Sequence, residues 1–246
     1  MAECVLAIDQ GTTGTTVMVI DVSGRIRART YGEVRQYYPH PGWVEHDADQ
    51  IYRSVVKLGR EALAKARVRA SDLAGIGITN QRETFVVWER KTGRPIHRAI
   101  VWQCRRSADI CEHLRDREDE VTARSGLLVD PYFSGTKLKW LLDQDRAMRK
   151  RARRGELCFG TIDTWLIYKL SRGVLYGDAP HALGSDADPG ATTSDVTRIA
   201  HHAGGVAAYN DTEGHHQLKL GAQTDFLYGS TSFISYVRDD ANGGID

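Results

Sequence analysis

The chain has 246 residues, enough for one large domain or two small ones around a buried core. At 41% hydrophobic and 26% charged residues it has a globular composition, and a formal net charge of +1 gives no overall field for nucleic acid or an anionic membrane. No run reaches the roughly 18 to 20 apolar residues of a membrane span, and the N-terminus enters a strand-like run with no basic stretch or cleavage site before it.

Val5 to Ile8 is a short apolar run stopped by Asp9 and a Gly/Thr-rich turn. Thr15 to Asp21 is rich in β-formers, and Gly24 supplies a turn before Arg25 to Gln36. Three successive strands are therefore expected, the first two tightly joined. Pro39, Pro41 and Gly42 break the chain. Asp47 to Val68 has helical periodicity through Ile51, Val55, Leu58, Leu63 and Ala66, with Asp47 or Asp49 as cap. Ala74 to Thr79 and Phe85 to Trp88 read as strands around the polar insert Asn80-Gln81-Arg82-Glu83, and Thr92-Gly93 turns the chain after them.

Helices are expected at Ser107 to Arg117, Ser134 to Gln144 and Thr164 to Leu170. The basic run Arg146 to Arg154 reads as a solvated helix end or loop, an anion contact being the alternative. This order gives an α/β fold with a mixed sheet and flanking helices, not the strict βαβ alternation of a dinucleotide-binding fold. After Arg172 the composition turns to Gly, Asp, Ala, Thr and His. Residues 177–215 are poor in Leu, Ile and Phe, the string 177–190 within them reads as exposed loop or linker, and β-like runs return at 226–228 and 232–237. The expected division is a domain over 1–172 and a divergent, loop-rich remainder over 173–246.

Cys4, Cys104, Cys111 and Cys158 form no CxxC pair and read as reduced, partly buried thiols of a cytoplasmic protein. His201-His202 and His215-His216 lack a companion ligand at metal-site spacing. Trp43, Trp88, Trp140 and Trp165 read as core residues.

Asp9-Gln10-Gly11-Thr12-Thr13-Gly14-Thr15-Thr16 lies between two strands. Backbone N–H groups at Gly11 and Gly14 and the threonine hydroxyls can grip phosphates, and Asp9 at a strand end suits the water shell of Mg²⁺. A plain Thr-rich hairpin is the other reading of this string alone. No GKS or GKT follows, so this is not a P-loop. In the second polar string, Arg82 donates and Glu83 accepts. Side by side they would hold vicinal hydroxyls and keep each other charged. An indole covers a carbon backbone and a phenol packs and bonds at once, so Trp102 and Tyr132 join the list.

DQGTTGTT resembles the phosphate turn of the FGGY carbohydrate kinases, a branch of the actin-like ATPases, and of their glycerol kinases in particular. PGWVEHD (Pro41 to Asp47), GITNQRET (Gly77 to Thr84), AIVWQCRR (Ala99 to Arg106), DPYFSGTKLKWLLD (Asp130 to Asp143) and RARRGELCFGTIDTWLIYKL (Arg151 to Leu170) resemble the same family in the same order. The resemblance implies a ribonuclease-H-like (actin-like ATPase) domain and transfer of a phosphoryl group from ATP, with Mg²⁺, to glycerol. It places Asp9, Gly11, Thr12 and Thr13 at the phosphates, Asp9 also at the metal, and Arg82, Glu83, Trp102 and Tyr132 on the polyol.

Three departures stand beside it. The GDQ-type string that supplies the catalytic base in that family is absent, so the base is unassigned. Asp211 and Asp225 are the nearest stand-ins, and neither is chosen. Thr16 stands where many relatives carry Arg. Ser194-Asp195-Val196-Thr197 and the run from Tyr228 to Phe233 only echo later family strings. The chain is about half of a full member's length, so little or no activity is expected of it alone. A kinase for another polyol or sugar, or a truncated binding module without catalysis, are the alternatives. No nucleic-acid or membrane partner is expected, and oligomeric state is left open, a homo-oligomer included.

Overall fold

The computed structural model describes residues 4–171, 204–212, 215–226 and 229–238. The chain forms two compact units. The first draws on Met1–Val34, Gln50–Asn80 and His202–Asp246, the second on Arg35–Asp49 and Gln81–His201, in each case as far as those residues are described. Residues 1–172, read as one domain in the sequence, contribute to both.

The first unit is a seven-stranded mixed sheet. Strands β1 (Cys4–Gln10), β2 (Gly14–Asp21) and β3 (Ile26–Glu33) form an antiparallel meander. Strand β6 (Leu73–Asn80) lies parallel to β1 on its other side. Beyond β6 come β10 (Gly204–Thr212), β11 (His215–Phe226) and β12 (Gly229–Arg238), all antiparallel, giving the order β12-β11-β10-β6-β1-β2-β3. The remainder expected to be loop-rich thus holds three paired strands among its described residues, while the loop string 177–190 lies outside them.

Alternation in β1 sends Cys4, Leu6 and Ile8 into the core and leaves Val5 and Asp9 exposed. Val17 and Val19 of β2 are fully buried. Helix α1 (Ala48–Ala66) covers this core with the stripe Ile51, Val55, Leu58, Ala62 and Ala66. Each large side chain of that stripe contributes about 1.5–3 kcal/mol by leaving water. The Thr30 hydroxyl donates to the Leu58 carbonyl at 3.0 Å, tying β3 to the helix.

The second unit has an antiparallel sheet in the order β4 (Gln36–Tyr37), β5 (Glu45–His46), β8 (Ala99–Ile100), β7 (Phe85–Glu89), β9 (Leu157–Thr161). Its core holds Phe85, Val87, Ile100, Leu157 and Phe159, with Trp43 and Trp140 packed against it. Trp88 and Trp165 are buried, their ring centroids 5.4 Å apart. The four expected core tryptophans all pack this unit.

Helix α2 (Ala108–Glu112) is shorter than expected, because a separate 3-10 turn follows at Arg115–Arg117. Helix α3 (Glu118–Ser125), not expected from the sequence, stops at Gly126 with φ +72. Helix α4 (Ser134–Gln144) has the expected bounds, and α6 (Ile162–Leu170) starts two residues early. The basic run is helix α5 (Arg146–Arg153), capped by Asp145, whose side chain accepts from Ala147 N–H. Arg149 pairs with Asp143, Arg151 with Glu89 and Glu156, and Arg154 with Glu156. All four cysteines are buried and free.

The described residues include no helix long and apolar enough to cross a membrane. The string Ser194 to Thr197, His201-His202 and Tyr228 lie outside the described residues.

Candidate functional site

In the first unit, β1 and β2 are joined by Gly11-Thr12-Thr13, with Gln10 opposite Thr15 as the last pair. The Gly11 N–H donates to the Gly14 carbonyl at 2.9 Å, so that amide closes the turn. The Gln10 side chain donates to the Gly11 carbonyl at 2.8 Å, and the Val34 N–H reaches the Thr13 carbonyl at 2.9 Å. A Cβ at Gly14 would lie 2.3 Å from the Tyr31 hydroxyl, which is why position 14 has no side chain. Thr13 and Asp9 face outward, both exposed. The Asp9 carboxylate has no hydrogen bond or ion pair among the described residues. Thr16 pairs directly with Asp9 across the ladder.

In the second unit, Arg82 and Glu83 sit in the turn before β7. Their φ angles are +29° and +55°, a left-handed pair with no glycine. Each such residue costs about 1–3 kcal/mol, and such strain gathers at functional sites. The two side chains differ in burial. Arg82 is exposed, while Glu83 is 7% exposed. They form no ion pair among the described residues, so the close pair read from the sequence is corrected to a longer-range one: Glu83 is buried, Arg82 is exposed, and Arg82 still favours the charged form of Glu83.

Glu83 is held instead by Ser134 at the start of α4. The Ser134 N–H and hydroxyl lie 2.9 and 2.7 Å from the same oxygen, Oε2. The hydroxyl is also 3.1 Å from the Glu83 carbonyl and can donate to one acceptor at a time. Oε1 has no partner among the described residues. Burial raises the Glu83 carboxyl above the ordinary range, against the lowering pull of Ser134, Lys137 and Arg82.

Thr84 links this turn to Trp102. Its hydroxyl accepts from the Trp102 N–H at 3.1 Å and donates to Gln81 Oε1 at 2.9 Å. Gln81 Nε2 lies 3.3 Å from His46 Nδ1. His46 is fully buried and burial lowers its pKa to about 4, so it is neutral and its Nδ1 accepts from Gln81.

The Trp102 and Tyr132 rings meet edge to face at 5.5 Å. The Tyr132 N–H donates to Asp130 Oδ1 at 2.7 Å, and its ring packs on Phe133 at 5.0 Å. The Lys137 ammonium is fully buried beneath them, 2.7 Å from the Tyr132 carbonyl and 3.4 Å from those of Val101 and Trp102.

Glu83, Trp102 and Tyr132 are thus gathered by one helix start, with Arg82 joined to them through the turn. They offer a carboxyl acceptor, two aromatic surfaces and an exposed guanidinium. That donor set suits a small polyhydroxylated molecule with an apolar carbon backbone. Thr84, Ser134 and Lys137 escaped the sequence reading. One signal was present for Lys137: it occupies a core position in the helical spacing Ser134, Lys137, Leu141.

No group of three or more His, Cys, Asp or Glu side chains that could cage a metal occurs among the described residues. Asp9 alone, exposed and unpaired, fits a cation that keeps its waters and takes its other ligands from phosphates.

Residues 4–186 match the N-terminal domain of the FGGY family of carbohydrate kinases. The chain is 54% identical over 171 residues to a glycerol kinase of Escherichia coli O7:K1, covering 69% of this chain and 34% of that protein. It is 51% identical over 178 residues to a glycerol kinase of Caldanaerobacter subterraneus subsp. tengcongensis, covering 72% and 36%. The crystal structure of Plasmodium falciparum glycerol kinase with ADP superposes with a TM-score of 0.65 at 31% identity, over 69% of this chain and 34% of that one. The chain spans about a third of the length of the curated relatives it matches.

Proposed function

The chain belongs to the FGGY family of carbohydrate kinases, with the α/β, actin-like ATPase fold of that family, and on that premise we propose that it carries the polyol-binding residues of an ATP-dependent glycerol kinase. The observation that carries this is the gathering of Glu83, Trp102 and Tyr132 around the start of α4, in a chain more than half identical to glycerol kinases over that stretch.

Arg82 donates to one glycerol hydroxyl and Glu83 Oε1 accepts from another. Trp102 covers the carbon chain, and the Tyr132 phenol bonds a further hydroxyl. Thr12 and Thr13 supply donors to the ATP phosphates, with Gly11 and Gly14 shaping the turn that presents them. Asp9 orients the water shell of Mg²⁺. Mg·ATP, when bound, supplies the phosphoryl group and neutralises charge on it. The protein's part is positioning and the exclusion of water, and the base that takes the hydroxyl proton is left unassigned. A cytoplasmic location, where ATP is available, goes with this function.

Calorimetric titration of the purified chain with glycerol tests the assignment. Saturable glycerol binding, weakened by Arg82→Ala, is expected. Binding of a larger sugar with no response to glycerol would overturn it.

A further inference from the structure

A lysine side chain is almost never fully buried, because its ammonium gives up its hydration. Lys137 is 0% exposed, and burial lowers its pKa to about 8. Its near partners are backbone carbonyls, and two of the three belong to the aromatic residues of the candidate polyol site, Trp102 and Tyr132. No carboxylate among the described residues pairs with it directly. Glu83 and Asp130 favour its charge from further off, while Arg106 opposes it. One residue type thus meets three acceptors from two chain segments that no ladder hydrogen bond joins. Three positions earlier, Ser134 turns both its donors on one oxygen of Glu83, and the other oxygen has no partner among the described residues.

We propose that Ser134 and Lys137 are positioning residues for this site: Ser134 aims the Glu83 carboxylate, and Lys137 clamps the backbones that carry the Trp102 and Tyr132 rings. One turn of α4 then sets the acceptor and both aromatic surfaces together. The role rests on the polyol-binding function proposed above. Two features set it apart from plain core packing. Leu or Met fills such a volume without desolvating a charge. Ser134 is the first residue of α4 and not its cap, which is Phe133, and its hydroxyl bonds a residue 51 positions away.

The test uses the full 246-residue chain with glycerol as the probe. Glycerol affinity is measured by calorimetry, and the Trp102 environment by its indole N–H signal in ¹⁵N-labelled protein, assigned with Trp102→Phe. Lys137→Met is expected to move the Trp102 signal and to weaken glycerol by on the order of ten-fold, the equivalent of one lost hydrogen bond to a charged group. Ser134→Ala is expected to weaken glycerol several-fold and leave the Trp102 signal in place, and Ser134→Thr to restore affinity.

Wild-type affinity and an unmoved Trp102 signal in a folded Lys137→Met would overturn the role of Lys137. Should Lys137→Met fail to fold, Ser134→Ala and Lys137→Arg decide: glycerol binding as tight as wild type in Ser134→Ala, or no recovery of the Trp102 signal in Lys137→Arg, counts against the proposal. If the wild-type chain itself takes no glycerol, the polyol function fails and the positioning role falls with it. Glycerol binding in wild type with unchanged variants sinks the positioning role alone.

Discussion

Glu83 and Ser134 are 51 positions apart in the chain, yet two donors of Ser134 fall on one carboxylate oxygen of Glu83. The contact joins a strained turn to a helix start, where the helix dipole favours a negative charge. It also divides the carboxylate: Oε2 belongs to the scaffold, and Oε1 remains for a ligand.

The left-handed turn predicts a split between stability and binding. Arg82→Gly relieves a positive φ that arginine tolerates badly, and the exposed side chain gives up no contact among the described residues. Its unfolding free energy in urea should hold or rise by up to about 1 kcal/mol, the relief exceeding the extra entropy of an unfolded glycine. Its glycerol affinity should fall. A variant that loses stability and keeps affinity would contradict both roles.

Glu83 gives a pH signature. Its folded value lies above the ordinary glutamate value of 4.5. Between the two values the folded chain binds more protons than the unfolded chain, so stability falls as pH rises through that window. Glu83→Gln should remove this part of the slope. Urea unfolding at a series of pH values from 4.5 upward measures it. An identical slope in the variant would mean that the carboxyl is not held as described.

Gly160 predicts a purely structural cost. A Cβ there would lie 2.6 and 2.7 Å from Cγ2 and Cβ of Thr164, and the Cβ of Thr164 cannot rotate away. Gly160→Ala should destabilise by about 1–3 kcal/mol. Adding Thr164→Gly should recover part of that loss, and thermal melts of the single and double variants decide. No recovery would place the strain elsewhere.

Asp9→Ala should weaken Mg-dependent nucleotide binding by on the order of ten-fold, as loss of one charge-assisted contact would. Glycerol affinity should stay at the wild-type level. Calorimetry with Mg·ADP and with glycerol separates the two, and an equal loss of both would show damage to the fold.

Much of this was legible in the sequence where local pattern decides. The alternation of β1, the stripe of α1 and the bounds of α4 follow from side-chain period alone. Strand β9 was missed because Leu157–Thr161 is buried on both faces and shows no alternation. Helix α5 was legible only as a solvated helix end or loop, because its charges hide a short apolar side and it stands through the Asp145 cap and tertiary ion pairs. The candidate site residues were read from polar and aromatic strings that resemble the family, and the side chains packed around them were not. Nothing local says that Lys137 will meet carbonyls at Val101 and Trp102, 36 and 35 positions away. Nothing marks Arg82 and Glu83 as left-handed either, since neither is a residue that favours that region.

The two units are written into the chain in alternation, with crossings after Val34, Asp49, Asn80 and His201. The phosphate turn at Asp9 to Thr13 is encoded in the first segment, and Arg82 follows the third crossing by two positions. A single recombination break cannot therefore trade one unit for another family's version and leave its companion whole. Each unit must therefore change by point substitution within its separate segments, or pass on with its companion as one inherited block.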